Sequence, residues 1–355
     1  MHKYDYSFLK DYEITNKLIG LSNVIFESNN KSINLRYKNP VIFDKLHEKA
    51  IIESTISSSR IEGIETNEKR QKELLVENMK PLNHDEAELS GYKDAIVFVS
   101  EHYDEIEVSE KTIKYLHSLL MYYTTNQKGE YKKSDNEISI RYEDERSETI
   151  FKTVSHIDTD RHMSDLINAY KNACNDDEIN KMLLIPCFII DFLAIHPFTD
   201  GNGRISRLLT LLLLYKEGYD VGKYISYEKM IENYKWNYYE EINKSQNNWH
   251  NNKNDYSYYI VFHFQILYRC YSEINQRLND LYVNDKRVSK KNRIENLIIN
   301  SVIPISKKEI QDKLPDISVT TIEKVLSDLL KLNRIKKIGN YKDAKYAWLG
   351  SNENN

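Results

Sequence analysis

One stretch of twelve residues, from His196 to Arg207, brings together side chains that could handle a phosphate group. Within it, Gly201 and Gly203 permit a tight turn that exposes backbone N–H groups. An apolar run begins at Ile205, so we expect the turn to lead into a helix, whose N-terminus attracts anions. The pattern predicts a phosphate-binding segment, and we call residues 196–203 the phosphate loop.

The side chains around the phosphate loop suit the transfer of a phosphoryl or nucleotidyl group. Asp200 is a hard oxygen ligand for a phosphate-bound Mg²⁺. Arg204 and Arg207 lie three residues apart on the expected helix, which puts two guanidinium groups on one face for one polyphosphate. Asn202 can donate its amide to a phosphate oxygen. His196 is the nearby group whose ordinary pKa lies near neutrality, which suits a general base.

Two apolar runs must position the phosphate loop. The run at 182–195 precedes it and the run at 205–215 follows it, and both predict buried helices. Pro197 cannot donate a backbone hydrogen bond and biases His196 away from helical geometry, so the first helix should end there.

The stretch 196–207 resembles the signature of the Fic family, H-P-F-x-D-G-N-G-R-x-x-R, at every fixed position. The resemblance implies a mainly α-helical enzyme that uses Mg²⁺ and moves AMP from ATP to a Ser, Thr or Tyr hydroxyl of a protein, itself included. The residues implied to contact the nucleotide are Gly201, Asn202, Gly203, Arg204, Ile205, Ser206 and Arg207. The residues alone imply a phosphate-handling site and no more.

Three other functions remain open at this stage. Within the family, the chain could remove AMP from a modified protein, with Glu62 orienting a water, or could transfer a different phosphate-linked group. Intact Gly201 and Gly203 favour AMP transfer over the kinase-like members. As a non-enzymatic alternative, the chain could be a DNA-binding regulator whose core senses nucleotide.

A second motif lies upstream of the phosphate loop. Apolar spacing predicts a helix over 43–63, with Gly63 as its stop and Glu62 at its C-terminus, where the helix dipole disfavours a negative charge by roughly 0.3–1 kcal/mol. Ser58 to Gly63 resembles the Fic family's inhibitory motif, [S/T]-x-x-x-E-[G/N]. The resemblance implies that Glu62 pairs with Arg207 and obstructs the γ-phosphate of ATP. From spacing alone, Glu62 could equally be a solvated surface residue.

Alternating apolar residues predict a short strand at 137–142 that pairs with 149–154 as a hairpin. The resemblance implies that this hairpin is a flap that aligns the target protein, through Glu137, Ile138, Ser139 and Ile140. The family usually has Arg where Lys132 stands and a proline pair at 155–156, so the departures here bear on target preference.

Two further residues are implied to line the nucleotide pocket. Tyr239 belongs to a Tyr pair at the family's usual distance after the signature, although pairs are common in a chain with 27 tyrosines. Gln246 replaces a family Asn and keeps hydrogen-bonding capacity.

The length and composition of the chain restrict its domain organisation and its functional class. The chain has 355 residues, 29% of them charged, and a formal net charge of −4, which argues against coating nucleic acid along its whole length. No apolar run reaches membrane-spanning length, and the three cysteines form neither a zinc motif nor a disulfide framework. We therefore expect a cytoplasmic protein without a membrane partner, which could form a homodimer. We expect three regions: an N-terminal helical region at 1–85, a catalytic core at 86–284 and a C-terminal domain at 285–355.

The C-terminal region predicts helices at 294–299, 306–314 and 318–332, followed by strands at 334–338 and 344–349. This order resembles a winged helix-turn-helix domain. From residue 281 onward the formal charge is +6, and that of the remainder is −10. The basic charge is compatible with DNA contact, and a packing or protein-recognition module is equally open.

Overall fold

The computed structural model describes residues 2–38, 40–124, 128–141, 147–284, 289–299, 301, 303–339 and 344–349. In these ranges the chain is mainly α-helical, as predicted. The helices are α1 Asn16–Lys38, α2 Pro40–Ile61, α3 Glu68–Leu75, α4 His84–His102, α5 Glu110–Leu120, α6 Thr159–Cys174, α7 Lys181–Ile195, α8 Asn202–Lys216, α9 Tyr227–Asn233, α10 Lys235–Gln246, α11 Ser257–Asn284, α12 Lys290–Ile299, α13 Lys307–Lys313 and α14 Val319–Lys331. The strands are β1 Glu137–Arg141, β2 Ser147–Lys152, β3 Ile305–Ser306, β4 Ile335–Ile338 and β5 Lys345–Trp348.

Helices α7 and α8 lie at the centre of the fold. Every α7 residue after Lys181 is buried, because all of them except Asp191 are apolar and the helix is covered by α6, α8, α10 and α11. Its start is fixed by Asn180, whose side chain accepts a hydrogen bond from the Met182 N–H at 2.9 Å. It ends at Ile195, the residue before His196, as the sequence predicts. The two buried helices give the phosphate loop a rigid base.

The predicted inhibitory helix is α2, which packs against α4, α8 and α9. Gly63 follows it with φ +84°, a left-handed conformation that glycine adopts without steric cost. The boundary expected after residue 85 falls inside α4, and residues of α1 and α2 share one hydrophobic core with α4 to α11. The N-terminal region and the predicted catalytic core are therefore packed as one unit.

Strands β1 and β2 form the predicted antiparallel hairpin. Ile138 pairs with Phe151, and the register shifts between Ile138 and Ser139. The second strand ends at Lys152, two residues earlier than expected. Ile140 lies in β1, but its side chain is outside the described part of the structure.

The C-terminal region has its own hydrophobic core, which includes Ile294, Ile310, Ile322 and Leu329. Its elements follow the order expected of a winged helix, and its antiparallel sheet has the strand order β3-β5-β4. A capping box between Ser306 and Glu309 starts α13. The first residues of the expected boundary, 285–288, lie outside the described residues. Within the described ranges, no helix is both long and apolar enough to cross a bilayer.

Candidate functional site

His196 sits at the junction between α7 and the phosphate loop in a left-handed conformation, with φ 53° and ψ 59°. Such a conformation is uncommon for a residue with a side chain and clusters at functional sites. Its Nδ1 lies 3.3 Å from the Leu193 carbonyl oxygen, which can only accept, so Nδ1 carries the proton and Nε2 keeps a free lone pair. Burial lowers the pKa of His196 to about 4, and the nearby charge of Lys132 also lowers it. The imidazole is therefore neutral at pH 7, as a general base must be.

The phosphate loop is held by hydrogen bonds to its own backbone. The Asn202 amide accepts from the Phe198 N–H at 2.9 Å and donates to the Phe198 carbonyl at 2.7 Å. Asn136, next to the hairpin, donates to the same carbonyl at 3.0 Å. The Asn202 amide therefore clamps the loop, and its donation to a phosphate oxygen through the second amide N–H stays a prediction. Its side chain is 2% exposed.

Space around the chain favours glycine at positions 201 and 203, and the backbone conformation favours it at 201 as well. A Cβ at Gly201, where φ is +80°, would lie 2.6 Å from a Met121 side-chain carbon. A Cβ at Gly203, in the first turn of α8, would lie 2.4 Å from the Glu62 Oε1 and 3.4 Å from an Arg207 nitrogen. The Glu62 carboxylate therefore already lies over the N-terminus of α8, where an anion is expected to bind.

Arg207 is almost fully buried and is bound to the inhibitory segment. It donates to the Glu62 carboxylate at 2.8 Å, to the Ser58 carbonyl at 3.0 Å and, from Nε, to the Ser58 hydroxyl at 3.0 Å. The structure thus brings together the two residues that the resemblance pairs. Glu62 is 31% exposed at its side chain and Arg207 is 2% exposed.

Arg204 points to a different set of acids. Its Nη2 lies 3.1 Å from the Glu88 carboxylate and 3.4 Å from both carboxylate oxygens of Asp200. Burial raises the pKa of Glu88, and its pairing with Arg204 opposes that rise. The two arginines thus have separate partners, and their joint binding of one polyphosphate stays a prediction.

Both arginines nevertheless keep unused donors. Among the described residues, no hydrogen-bond acceptor is found for the buried Nε and Nη1 of Arg204 or for the buried Nη1 of Arg207. A buried donor left unpaired costs about 1–3 kcal/mol. An anion at the N-terminus of α8 would satisfy such donors, so the site is electrostatically incomplete without one.

The remaining residues expected at the nucleotide differ in position. Tyr239 is 43% exposed, and its hydroxyl donates to the Ile61 carbonyl at the end of α2, at 3.1 Å. Gln246 is buried and its amide points to the Ile190 carbonyl of α7 at 3.5 Å, so its assignment to the nucleotide pocket is not supported by this geometry. Ile205 is fully buried in the core, and Ser206 donates to the Gly203 carbonyl at 2.7 Å.

Lys132 joins the base of the hairpin to the end of α7. Its buried ammonium donates to the Asn136 side chain at 2.7 Å, to the Thr153 hydroxyl at 3.0 Å and to the Ile195 carbonyl at 3.1 Å. Burial lowers the pKa of Lys132 to about 8. The expected flap is thus coupled to the residue before His196. Of the expected flap residues, Glu137 pairs with Lys152 and accepts from the Ser139 hydroxyl at 3.3 Å.

His117 is a site residue that sequence reasoning missed. Its ring stacks on Phe198 with centroids 3.8 Å apart, its Nδ1 accepts from the Gly129 N–H at 3.0 Å, and its Nε2 donates to the Asp200 carbonyl at 3.2 Å. The sequence did carry a signal, because His117 lies on the apolar face of α5 beside Leu116 and Leu120. A titratable residue on such a face is a candidate for a buried polar role.

Comparison with known proteins agrees with this geometry. Residues 107–214 match the model of the Fic/DOC family. A Fic family protein from Desulfovibrio desulfuricans has a TM-score of 0.60 at 18% identity, over 97% of this chain and 99% of that one. A Fic domain-containing signaling protein from Bacteroides thetaiotaomicron has a TM-score of 0.55 at 20% identity, over 69% of this chain and 94% of that one. These structural likenesses concern the fold.

A comparison with curated protein sequences gives no match to this chain. Members of the Fic/DOC family transfer phosphate-linked groups, such as AMP, onto proteins. The matched segment holds the hairpin, α7, the phosphate loop and most of α8. Residues 107–214 of this chain are therefore similar to the Fic/DOC family domain.

Proposed function

We propose that this chain is an autoinhibited protein adenylyltransferase, which transfers AMP from ATP to a hydroxyl group of a protein, itself included. The observation that carries the proposal is the set of buried, unpartnered guanidinium nitrogens of Arg204 and Arg207 beside the N-terminus of α8. They lie on the helix that follows a neutral histidine. Such an arrangement suits a polyphosphate next to a general base.

The nucleotide phosphates would bind where Glu62 now lies, over Gly203. The free N–H groups of the first turn of α8 and the positive end of its dipole favour negative charge there. Arg204 would neutralise the inner phosphates and Arg207 would bind the γ-phosphate. Asn202 contributes by holding the loop in shape.

Asp200 suits a magnesium ion that accompanies the nucleotide. Its carboxylate is 48% exposed, next to Arg204. In the part of the chain that the structure describes, no three His, Cys, Asp or Glu side chains cluster as metal ligands. One carboxylate is enough, because Mg²⁺ in nucleotide sites takes one or two carboxylates together with phosphate oxygens and waters. When bound, the ion would neutralise phosphate charge and help to orient the diphosphate that leaves.

The residue that moves a proton is His196. Its Nε2 would accept the proton of the target hydroxyl while the hydroxyl oxygen attacks the α-phosphorus of ATP. A new P–O bond then joins AMP to the protein, and the bond between the α-phosphorus and the bridging oxygen breaks to release diphosphate. The hydrogen bond from Nδ1 to the Leu193 carbonyl keeps the required tautomer.

Autoinhibition follows from competition for one position. Arg207 cannot serve the Glu62 carboxylate and the γ-phosphate in one geometry, and the Glu62 carboxylate lies against Gly203, where a phosphate would approach. Removing Glu62 would free both the guanidinium and the space.

Incubation of the purified protein with ATP and Mg²⁺, followed by intact-mass spectrometry, tests the proposal. We expect the Glu62→Gly protein to gain the mass of one or more AMP groups, and the Glu62→Gly/His196→Ala protein to gain none. Gain of a phosphoryl group instead of AMP would show that the transferred group is wrong. Loss of AMP from a modified protein without any transfer would favour the removal reaction.

A further inference from the structure

Arg204 shares one of its guanidinium nitrogens between two carboxylates. Its Nη2 donates to the Glu88 Oε1 at 3.1 Å and lies 3.4 Å from each carboxylate oxygen of Asp200. For the buried Nε and Nη1 of Arg204, no acceptor is found among the described residues. One nitrogen of the guanidinium group is therefore anchored by protein, and the other two remain available to a ligand.

The two carboxylates differ in what can reach them. The Glu88 side chain, on α4, is 4% exposed, whereas the Asp200 side chain, in the phosphate loop, is 48% exposed. The His84 Nε2 also lies 3.3 Å from the Glu88 Oε1. A dissolved ion can therefore approach Asp200, but it cannot approach Glu88 unless the packing of α4 against α8 is disturbed.

The difference matters because Asp200 is also the proposed ligand of the magnesium ion. When the Asp200 oxygens turn to an ion, their 3.4 Å contacts with the Arg204 Nη2 are lost. Glu88 is then the acceptor that remains for this nitrogen among the described residues. Since a buried donor without an acceptor is costly, Glu88 removes a penalty that would otherwise oppose binding of the ion.

We propose that Glu88 is a positioning residue for Arg204. It holds Nη2, so that Nε and Nη1 stay directed at the inner phosphates of the nucleotide while Asp200 is free to bind Mg²⁺. The inference rests on the proposed function and deepens it, because it gives the two carboxylates different roles. The buried carboxylate anchors the arginine, and the exposed carboxylate serves the ion. Glu88 lies outside residues 107–214, the segment that matches the family model.

The test measures the affinity for ADP by calorimetry, in Mg²⁺ and in EDTA, with the Glu62→Gly protein so that Glu62 does not compete. ADP keeps both inner phosphates and lacks the γ-phosphate. Adding Glu88→Met removes the acceptor and keeps a side chain of similar length. In EDTA, Asp200 still accepts from Nη2, so ADP affinity should stay within about twofold. In Mg²⁺, Asp200 has to leave Nη2 unpaired, and ADP affinity should fall about three- to tenfold.

Two further variants test whether the hydrogen bond to Nη2 is responsible. Glu88→Gln keeps an acceptor for Nη2, so ADP affinity in Mg²⁺ should stay within about twofold. Glu86→Met is the matched control, because Glu86 is a buried carboxylate on the same helix that pairs with a different arginine. Its two oxygens accept from Arg70 at 2.9 Å and 2.6 Å. The control should change the affinity in neither condition.

A loss of ADP affinity in Glu88→Met that is as large in EDTA as in Mg²⁺, or no loss in either, would overturn the proposal. So would a loss in Glu88→Gln as large as that in Glu88→Met. If Glu88→Met does not fold, Glu88→Asp decides by the same comparison, because its shorter side chain withdraws the carboxylate from Arg204. A folded Glu62→Gly protein that does not bind ADP, or whose ADP affinity does not depend on Mg²⁺, would refute the proposed nucleotide and magnesium site itself.

Discussion

Replacing Glu62 with glycine should raise the rate of the proposed AMP transfer, because it removes the proposed inhibitory residue. The change removes the 2.8 Å hydrogen bond between Glu62 and Arg207 and clears the space over Gly203. A hydrogen bond between charged groups is worth about 1.5–3 kcal/mol. Since the Glu62 side chain is 31% exposed, solvent screens part of this energy, and we take the lower part of the range, about 1.5–2 kcal/mol.

This energy determines the expected rate change because, in the proposed mechanism, nucleotide must displace Glu62 before transfer. At 1.4 kcal/mol per factor of ten, we expect AMP incorporation to rise roughly ten- to thirtyfold at subsaturating ATP. Incorporation from labelled ATP into the protein itself and into added proteins gives the rate. Glu65→Gly is the matched control, because it removes an exposed carboxylate three residues further along the same connection, and it should leave the rate unchanged.

The Glu62→Gly/Arg207→Ala double variant separates the proposed inhibition by Glu62 from the proposed γ-phosphate contact of Arg207. Arg207→Ala removes the partner of Glu62 but also the proposed γ-phosphate contact, so it should not activate, either alone or with Glu62→Gly. If Glu62→Gly transfers AMP no faster than the unaltered protein towards any acceptor, Glu62 does not inhibit AMP transfer. If Arg207→Ala activates as strongly as Glu62→Gly, Arg207 is not needed for the nucleotide.

Three further outcomes are expected. His196→Ala in the Glu62→Gly protein should abolish AMP transfer. The affinity for ATP, measured by calorimetry, should stay within about threefold, because the base contributes little to binding. Transfer near the Glu62→Gly rate would refute the role of His196 as general base. Activity should fall as the pH drops through the His196 pKa of about 4. Lys132→Met should move this fall to higher pH, because it removes a positive charge that lowers the His196 pKa, whereas Lys132→Arg should not. Identical pH–rate profiles for the two variants would contradict this prediction. A protein ending at residue 284 should keep AMP transfer, and a folded truncated protein without activity would contradict this. If the removed region contacts DNA, the affinity of the full chain for DNA should fall steeply with salt concentration. DNA binding that is insensitive to salt would count against that contact.

Much of the site could be predicted from the sequence because its local geometry is encoded in adjacent residues. Pro197 ends α7, and the conformation of Gly201 together with the close approach at Gly203 explains why small residues stand there. The apolar runs predicted the central helices, and the spacing of short elements predicted the hairpin and the order of the C-terminal elements. In each case the signal lies within about fifteen residues, the range over which backbone propensity and periodicity act.

What the sequence alone could not decide is which buried polar groups meet. Arg207 contacts residues 145 and 149 positions away, Glu62 and Ser58, and only the resemblance to the Fic family suggested the first of these pairs. The inward direction of Gln246 and the pairing of Arg204 with Glu88 carry no local signature. These contacts depend on how helices distant in sequence are packed, and a buried polar group takes whatever partner that packing provides. The tertiary structure therefore determines how the arginines are held, whereas the sequence by itself determines the turn between α7 and α8 and the residues that it carries.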